Sequence, residues 1–410
     1  MDKSSKVLLV VDWSNLMFRS LFMHQFFGDV SGTYERIEDL QSFTNKFAVD
    51  VCSVINMFKP NNVIIATDSQ HAWRKDVLPG EDGYKSGRQK AENVNWDNIY
   101  KCSDDLQAIL KNNGMHIANV ERSEADDIMA LIKETVFEEY PDYNIIIVSA
   151  DADIRQLIDF DIQTHQYCIV YNTTGRGKGS KRRMYATQNF VDWVNEETVV
   201  DIFFSSYEPG KQYIKELINT NSIIELTVDN PNDVLLGKIM CGDDGDNVPS
   251  FYGFYKNGKY VRTTPAKSKK ILELIGADDV KSLVNNKHKL QEAFEKVYKR
   301  EIDDLNFDER LERQRTLVEL NSSLFPEYIR NYKDSIDYMI SNSNASIFQN
   351  LKAQELLKGS SYEGFDKKKV LEADVFADFN KMARQADASL KKMDDKPTLS
   401  SNIDDLSSLF

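Results

Sequence analysis

The chain has 410 residues, of which 41% are hydrophobic, enough to bury a substantial core in one large domain or two smaller ones. Its formal net charge of -14 excludes a protein that coats nucleic acid over its whole surface, so any nucleic-acid role must rest on local basic patches. No run approaches the roughly 18 consecutive apolar residues of a membrane span, and Asp12 interrupts the first apolar run, so we expect a cytoplasmic protein.

Three short apolar runs, at residues 6–11, 62–66 and 144–149, are typical of strands buried on both faces of a parallel sheet. Between them, apolar residues recur at steps of three and four over residues 40–58, and residues 97–112 and 125–140 have amphipathic patterns. This alternation predicts an α/β fold with a doubly wound, mainly parallel sheet over roughly residues 1–200.

The second half of the chain has a different pattern. Residues 168–172 and 182–186 predict a hairpin with a basic tip, and residues 201–358 are mainly helical apart from an acidic loop at 242–248 and a polar insertion at 252–264. We expect a helical subdomain there, followed by a charged, partly disordered tail from residue 359. The tail ends in an apolar hook formed by Leu406, Leu409 and Phe410.

Acidic residues follow each of the three predicted central strands. Asp12 ends the first strand, Asp68 follows the second by two residues, and Asp151 and Asp153 follow the third. Because parallel strands end at the same edge of a sheet, these carboxylates are expected to lie together, and cations must then offset their repulsion.

Two further acidic groups lie outside the strands. Glu124, Asp126 and Asp127 begin a predicted helix, and Asp243 and Asp246 lie in the acidic loop. Carboxylate oxygens without a His or Cys cluster suit Mg²⁺ or Mn²⁺, and two such ions can support phosphodiester hydrolysis. Any single acid can instead cap a helix or stabilise a turn, but five groups in this order favour a shared function.

The motifs VVDWSNLMFRS, ATDSQHAWRKDVLPGEDGYKSGR, SEADDIMAL, SADADIRQL and GDDGDNVPS occur in this order. Together they resemble the motifs of the flap endonuclease and 5′-3′ exonuclease family, and within it the ribonuclease H branch of tailed phages. The resemblance extends from residue 7 to about residue 276. It implies a structure-selective 5′ nuclease that uses two Mg²⁺ or Mn²⁺ ions to remove RNA primers and 5′ flaps during phage lagging-strand replication.

The resemblance also implies roles for the acidic residues. The residues implied around the first metal are Asp12, Asp68, Glu124, Asp126 and Asp151, and those implied around the second are Asp153, Asp243 and Asp246, with Asp127 nearby. An arch segment is implied at about residues 74–95, where Lys85 and Arg88 would contact the scissile phosphate and Tyr84 would stack on a base. A solvated charged loop is the alternative interpretation of that segment.

A helix-hairpin-helix is implied at about residues 242–276, although the polar insertion interrupts the family pattern. The expected nucleic-acid contacts are Arg74, Arg176, Lys178, Lys181, Arg182, Arg183, Lys267, Lys269 and Lys270. For the last three, a merely solvated helix face remains the alternative.

The implied substrates are DNA and RNA·DNA hybrids with 5′ ends or flaps, acted on by a monomer in the bacterial host cytoplasm. The tail hook is similar to short segments that recruit replication proteins to a sliding clamp or a single-strand-binding protein, and an inert tail is its alternative. For the whole chain, a PIN-like ribonuclease and a non-catalytic junction-binding scaffold remain open.

Overall fold

The computed structural model describes residues 5–27, 32–88, 90–174, 182–196, 209–220, 224–257, 259–302, 306–342, 345–348 and 350–363. The strands are β1 (Lys6–Asp12), β2 (Asn62–Ala66), β3 (His116–Ala118), β4 (Tyr143–Val148), β5 (Asp159–Phe160), β6 (Tyr167–Asn172), β7 (Arg182–Ala186), β8 (Ile224–Val228), β9 (Gly253–Lys256) and β10 (Lys259–Arg262).

The helices are α1 (Trp13–Phe27), α2 (Ile37–Phe58), α3 (Arg74–Val77), α4 (Trp96–Asn112), α5 (Ala125–Glu139), α6 (Gln188–Asn195), α7 (Pro209–Thr220), α8 (Pro231–Cys241), α9 (Pro265–Ile275), α10 (Val280–Asn285), α11 (Leu290–Tyr298), α12 (Phe307–Val318), α13 (Glu327–Arg330), α14 (Lys333–Ser341) and α15 (Ala353–Leu356). Short 3₁₀ helices span Asp153–Leu157, Lys287–Lys289, Ser322–Leu324 and Ala345–Phe348.

A single sheet organises the first half of the chain, with strand order β3-β2-β1-β4-β6-β7-β8 and β5 beside β6. The five strands from β3 to β6 in this order are parallel, β7 is antiparallel to β6, and β8 runs parallel to β7. This arrangement confirms the predicted α/β fold with a mainly parallel sheet.

Side chains of β1 alternate between two hydrophobic cores. Val7, Leu9 and Val11 face a core covered by α1, α2, α4, α6 and α7, whereas Leu8 and Val10 face a core covered by α5. A strand whose two faces are both buried has a continuous apolar sequence, which explains why KVLLVV identifies it.

A third core lies outside the sheet and is built by residues of α8 to α12. It also takes in Ala72 and Tyr84, which come from the segment after β2. This core joins the helical subdomain to the predicted arch segment.

The hydrophobic cores extend across the domain limits predicted at residues 200 and 358. The segment 209–228 adds α7 to the first core and β8 to the sheet, and Phe325, Ile329 and Ile336 pack on the α5 side of the sheet. Phe348 and Leu356 reach the first core. The chain thus returns to the sheet after the helical subdomain. Residues that are distant from the strands in sequence cover the apolar surface of the sheet that the earlier helices leave uncovered.

Between α8 and α9 lie the acidic loop and then an antiparallel hairpin of β9 and β10. The hairpin occupies the position of the predicted polar insertion. Among the helices of the described residues, none is long and apolar enough to cross a membrane.

Candidate active site

The carboxyl ends of β1, β2 and β4 meet at one edge of the sheet. Asp12 is in register with Ala66, the last residue of β2, and Val11 is in register with Val148, the last residue of β4. Asp68 and Asp151 therefore follow their strands at the same edge as Asp12, as the parallel arrangement predicts.

Local hydrogen bonds orient Asp12. Its carboxylate accepts from the Ser149 hydroxyl at 2.7 Å and from the backbone N–H of Asn15 at 3.1 Å. Ser149 Oγ in turn accepts from the N–H of Asp151 at 3.0 Å. Asp12 thus caps the start of α1, the structural role considered above, while remaining coupled to the residues after β4.

The start of α5 meets the same edge. Asp68 Oδ1 accepts from the N–H of Ala125 at 2.9 Å, and Asp151 Oδ1 accepts from the N–H of Asp153 at 2.8 Å. These contacts bring the segments after β2 and β4 and the α5 N-terminus into one acidic cluster.

Burial and mutual repulsion both raise pKa values in this cluster. Burial, followed by the charge of Asp68, raises the pKa of Asp12 to about 7. Burial and the charge of Asp151 raise the pKa of Asp126 well above its usual value and that of Asp153 to about 7. Without an added cation these side chains resist being ionised together, as expected of a site built for hard divalent cations.

Two lysines lie inside the cluster, and each bridges an acid of the sheet edge to an acid of the loop 242–248. Lys85 contacts Glu124 and, at 3.6 Å, Asp246. Lys238 contacts Asp153 at 2.7 Å and also Asp243. Over the described residues, no three Asp, Glu, His or Cys side chains converge as a coordination set. Four of the expected ligands, Glu124, Asp153, Asp243 and Asp246, are instead paired with ammonium groups.

The two lysines also shift the pKa values of the acids that they contact. Burial raises the pKa of Glu124, but the charges of Lys85 and Arg74 outweigh it and the pKa falls to about 2. Burial likewise opposes Lys238 in setting the pKa of Asp243, which is lowered overall. Glu124 and Asp243 therefore remain ionised.

The acidic loop has a defined geometry. Asp243 pairs with Val248 as an isolated β-bridge, and its Oδ1 accepts from the N–H groups of Gly245 at 2.7 Å and Asp246 at 3.2 Å. The backbone N–H of Lys85 donates to the carbonyl of Asp246 at 2.8 Å. The arch segment is thereby joined directly to the loop.

The first half of the chain matches a known domain family. Residues 7–192 match the family model of the 5′-3′ exonuclease N-terminal resolvase-like domain. This part of the chain is therefore a domain of that family. No curated protein sequence matches the chain.

Solved structures from bacteriophage T5 share the fold of this chain. A T5 5′-exonuclease with bound zinc ions is 17% identical, with a TM-score of 0.50, over 82% of this chain and 99% of its own. A T5 flap endonuclease in complex with DNA and metal ions is 16% identical, with a TM-score of 0.50, over 82% of this chain and 100% of its own.

Three predicted roles are wrong for physical reasons. Arg74 is only 2% exposed and pairs with Glu124 at 2.8 Å and Asp127 at 2.7 Å, so it does not reach nucleic acid. Arg182 is buried, with its guanidinium 3.2 Å from the hydroxyl of Tyr171. The Tyr84 ring is buried in the third core and does not stack on a base.

Asp127 was expected near the metals but is fully buried. Its carboxylate contacts Arg74, accepts from the Trp73 indole N–H at 3.0 Å and accepts from the N–H of Glu124 at 3.0 Å. With its oxygens held by protein donors, it positions Glu124 instead of facing a cation.

The remaining nucleic-acid predictions have mixed outcomes. Arg183, Lys269 and Lys270 are exposed, and Lys267 is half-buried with its ammonium 3.9 Å from the centroid of the Tyr298 ring. Their contacts with nucleic acid stay predictions. The predicted residues outside the described part of the chain are Arg176, Lys178, Lys181, Leu406, Leu409 and Phe410.

Lys238 is the residue of this site that sequence reasoning missed. It lies in the last turn of α8, where the helix dipole favours a cation. A lysine at that position does not by itself indicate a functional site. Its position five residues before Asp243, one turn from the acidic loop, was the available signal.

Proposed function

We propose that the protein is a structure-selective 5′ nuclease that hydrolyses phosphodiester bonds with two Mg²⁺ or Mn²⁺ ions. The supporting observation is the gathering of carboxylates from three strand ends, the α5 N-terminus and the acidic loop at one edge of the sheet. The match of residues 7–192 to the 5′-3′ exonuclease N-terminal domain supports the same reaction class.

The carboxylates divide into two proposed cation sites. Asp12, Asp68, Asp126 and Asp151 would hold the first with Glu124, and Asp153, Asp243 and Asp246 would hold the second. Bound divalent cations supply an activated water and neutralise the charge that develops on the leaving oxygen. The chain's own residues keep the carboxylates in place: Ser149 orients Asp12, and the loop N–H groups orient Asp243.

Lys85 and Arg88 are the proposed phosphate ligands. Both contact Asp246, and the Arg88 side chain is 51% exposed. A phosphate brought to this edge would attract the side chains of both residues away from Asp246. Positively charged side chains placed beside the reacting group stabilise its charge in the transition state. The Tyr84 hydroxyl lies 3.0 Å from Glu124 and 3.3 Å from Asp246, the two acids that Lys85 contacts, and so helps to hold these acids in place.

The proposed substrates are 5′ ends, flaps and RNA·DNA hybrids, and the proposed role is primer and flap removal in phage lagging-strand replication. Recruitment by a clamp or a single-strand-binding protein through the tail remains part of this proposal. The T5 flap endonuclease was solved with DNA and metal ions, and a related substrate is the natural first choice for assay.

Digestion of 5′-labelled substrates tests the proposal. The wild-type protein should cleave an RNA·DNA hybrid and a 5′-flap duplex only when Mg²⁺ or Mn²⁺ is present, whereas Asp153→Asn should lose most of the turnover and keep substrate binding. Cleavage of single-stranded RNA alone would favour a PIN-like ribonuclease. Binding without metal-dependent product from either protein would favour a non-catalytic scaffold.

A further inference from the structure

The hairpin of β9 and β10 has one buried face and one exposed face. Phe254 and Val261 are paired across the strands, and the Phe254 ring packs on the third core 5.7 Å from the centroid of Tyr298. Tyr255 and Tyr260 are paired on the opposite face. The packing of Phe254 accounts for the position of the hairpin on the third core, whereas the two tyrosines are not needed for that contact.

The two tyrosines form an open aromatic surface. Tyr255 is 76% exposed and Tyr260 is 42% exposed, with ring centroids 5.4 Å apart and ring planes inclined by 57°. Single exposed aromatic residues are ordinary, but adjacent ones on a projecting element mark contact surfaces. Since the rings are tilted, the Tyr255 face remains accessible to a planar group.

Gly253 permits this arrangement. A methyl group at this position would overlap the phenol ring of Tyr260, which lies across the strand at Gly253. The hairpin therefore holds the Tyr260 ring in one place instead of leaving it free in solvent.

The charged residues of the hairpin itself are all basic. The chain has no Asp or Glu from residue 247 to residue 272, although its net charge is -14. Lys256 and Lys259 are exposed and directly opposite each other in the hairpin register. Like charges in this position destabilise a hairpin, and a bound anion would remove that penalty.

Arg262 links this surface to the candidate active site. On the hairpin it lies on the same face as Tyr260, and its guanidinium contacts the carboxylate of Asp244 and the carbonyl of Val248 in the acidic loop. The tyrosine face is thus continuous with the loop that carries Asp243 and Asp246.

We propose that the tyrosine face of the hairpin binds an unpaired base of a nucleic-acid strand by stacking, while Lys256 and Lys259, on the opposite face beside the turn, contact phosphates of the same strand where it passes the tip of the hairpin. Planar bases stack on aromatic side chains whatever their sequence, and phosphates supply the anion that the lysine pair requires. A protein partner would need apolar area beyond two rings and acidic groups to match the lysines. This inference rests on the proposed function for the identity of the substrate.

Binding to a forked duplex tests the inference without cleavage. The forked duplex carries 2-aminopurine in its unpaired arm. A blunt duplex of the same sequence, which has no unpaired bases, serves as the comparison. The affinity for both duplexes is measured in EDTA, which prevents cleavage. Tyr255→Leu and Tyr260→Leu should each weaken binding of the forked duplex by roughly 10-fold and reduce the 2-aminopurine quenching. Tyr255→Phe should bind as wild type, and Gly253→Ala should lower the affinity by displacing the Tyr260 ring.

Two controls separate stacking from other causes. Tyr338→Leu removes a tyrosine that is 66% exposed on α14, which packs on the sheet, and should leave binding unchanged. Lys256→Gln and Lys259→Gln should each reduce the salt dependence of binding by about one counterion.

The outcomes also separate this inference from the proposed function. Unchanged affinity and quenching in Tyr255→Leu and Tyr260→Leu would overturn the inference while leaving nuclease activity intact. Equal losses on forked and blunt duplexes would overturn it too, because unpaired bases would then be irrelevant. Quenching that depends on Tyr255, in a protein without metal-dependent cleavage, would support the hairpin's role and reject the nuclease. Absence of any binding by the wild-type protein in EDTA would overturn the inference and leave the proposed function to the metal-dependent digestion.

Discussion

Among individual residues, the two bridging lysines are the most informative feature of the site. Lys85 and Lys238 each join an acid of the α/β sheet edge to an acid of the helical subdomain. Neither contact can be predicted from spacing, because each joins elements that meet only in the folded chain. Asp12, Asp68, Asp151 and Asp153 are predictable from sequence, since they follow strands at the carboxyl edge. The burial of Asp127 is not, because it depends on the ion pair with Arg74.

Replacing Lys238 should reveal the repulsion between Asp153 and Asp243, which the lysine ammonium group offsets. Lys238→Met leaves Asp153 and Asp243 without their shared cation and should lower the free energy of unfolding by roughly 1–3 kcal/mol in EDTA. Added Mg²⁺ should recover most of this loss, because it neutralises the same carboxylates. Denaturant unfolding measures both conditions, with Lys101→Met on the exposed surface of α4 as the matched control. A loss of the same size with and without Mg²⁺ would contradict the assignment.

His24 should make stability depend on pH away from the site. Its ring lies between the Tyr34 hydroxyl at 2.9 Å and the Ser42 hydroxyl at 2.8 Å, and burial followed by the charge of Lys46 lowers its pKa from 6.5 to about 4. Between these values the unfolded chain binds a proton that the folded chain does not. The free energy of unfolding should therefore fall as the pH drops from 6.5 to 4, by roughly 2–3 kcal/mol.

The His24→Asn variant isolates this effect. The variant has no titrating ring, so its unfolding free energy should vary less over the same pH range, whatever its stability at neutral pH. Urea unfolding of both proteins at several pH values gives the comparison. Parallel pH profiles for the two proteins would show that His24 does not contribute.

Among the secondary structure elements, those with long, regular patterns are predictable. The predicted ranges 62–66 and 182–186 coincide with β2 and β7, and α2, α4 and α5 differ from their predictions by a few residues at most. β3 is missed because an edge strand of three residues has no periodicity to detect, and β8 because its pairing with β7 is a tertiary contact. The hairpin of β9 and β10 appears in sequence as a polar insertion, because Lys256, Asn257, Lys259 and Arg262 interrupt its aromatic and apolar residues.

The acidic loop should depend on Gly242, which ends α8. Its φ of 69° is in the left-handed region, and a methyl group would overlap the carbonyl oxygens of Val248 and Pro249. Gly242→Ala should lower the free energy of unfolding by roughly 2–4 kcal/mol and reduce nuclease turnover, because it displaces Asp243.

Gly237 provides the matched control for this substitution. It lies within α8, with no heavy atom close to an added methyl group, so Gly237→Ala should stabilise the helix by roughly 0.5–1 kcal/mol. Thermal unfolding and digestion assays of the two variants give both comparisons. Similar effects of both substitutions would show that the loop tolerates a side chain at Gly242.

In the molecule as a whole, the candidate site lies where the sheet edge, the arch segment and the helical subdomain meet. Tyr84 packs in the third core while its hydroxyl donates to Glu124, so the packing of the subdomain and the geometry of the acids are coupled. Sequence motifs predict which segments take part. They do not predict that residues 325–340 return to cover the sheet, because that contact depends on tertiary packing alone.

Diffraction from crystals grown with Mn²⁺ would test directly whether these carboxylates gather to hold divalent cations. The anomalous signal should show Mn²⁺ between Asp12, Asp126 and Asp151, and between Asp153 and Asp243, with Lys238 moved away from the second pair. Crystals of Asp153→Asn should lose the second peak and retain the first. Absence of Mn²⁺ from this edge of the sheet at saturating concentration, with Lys85 and Lys238 still bridging the acids, would contradict the account.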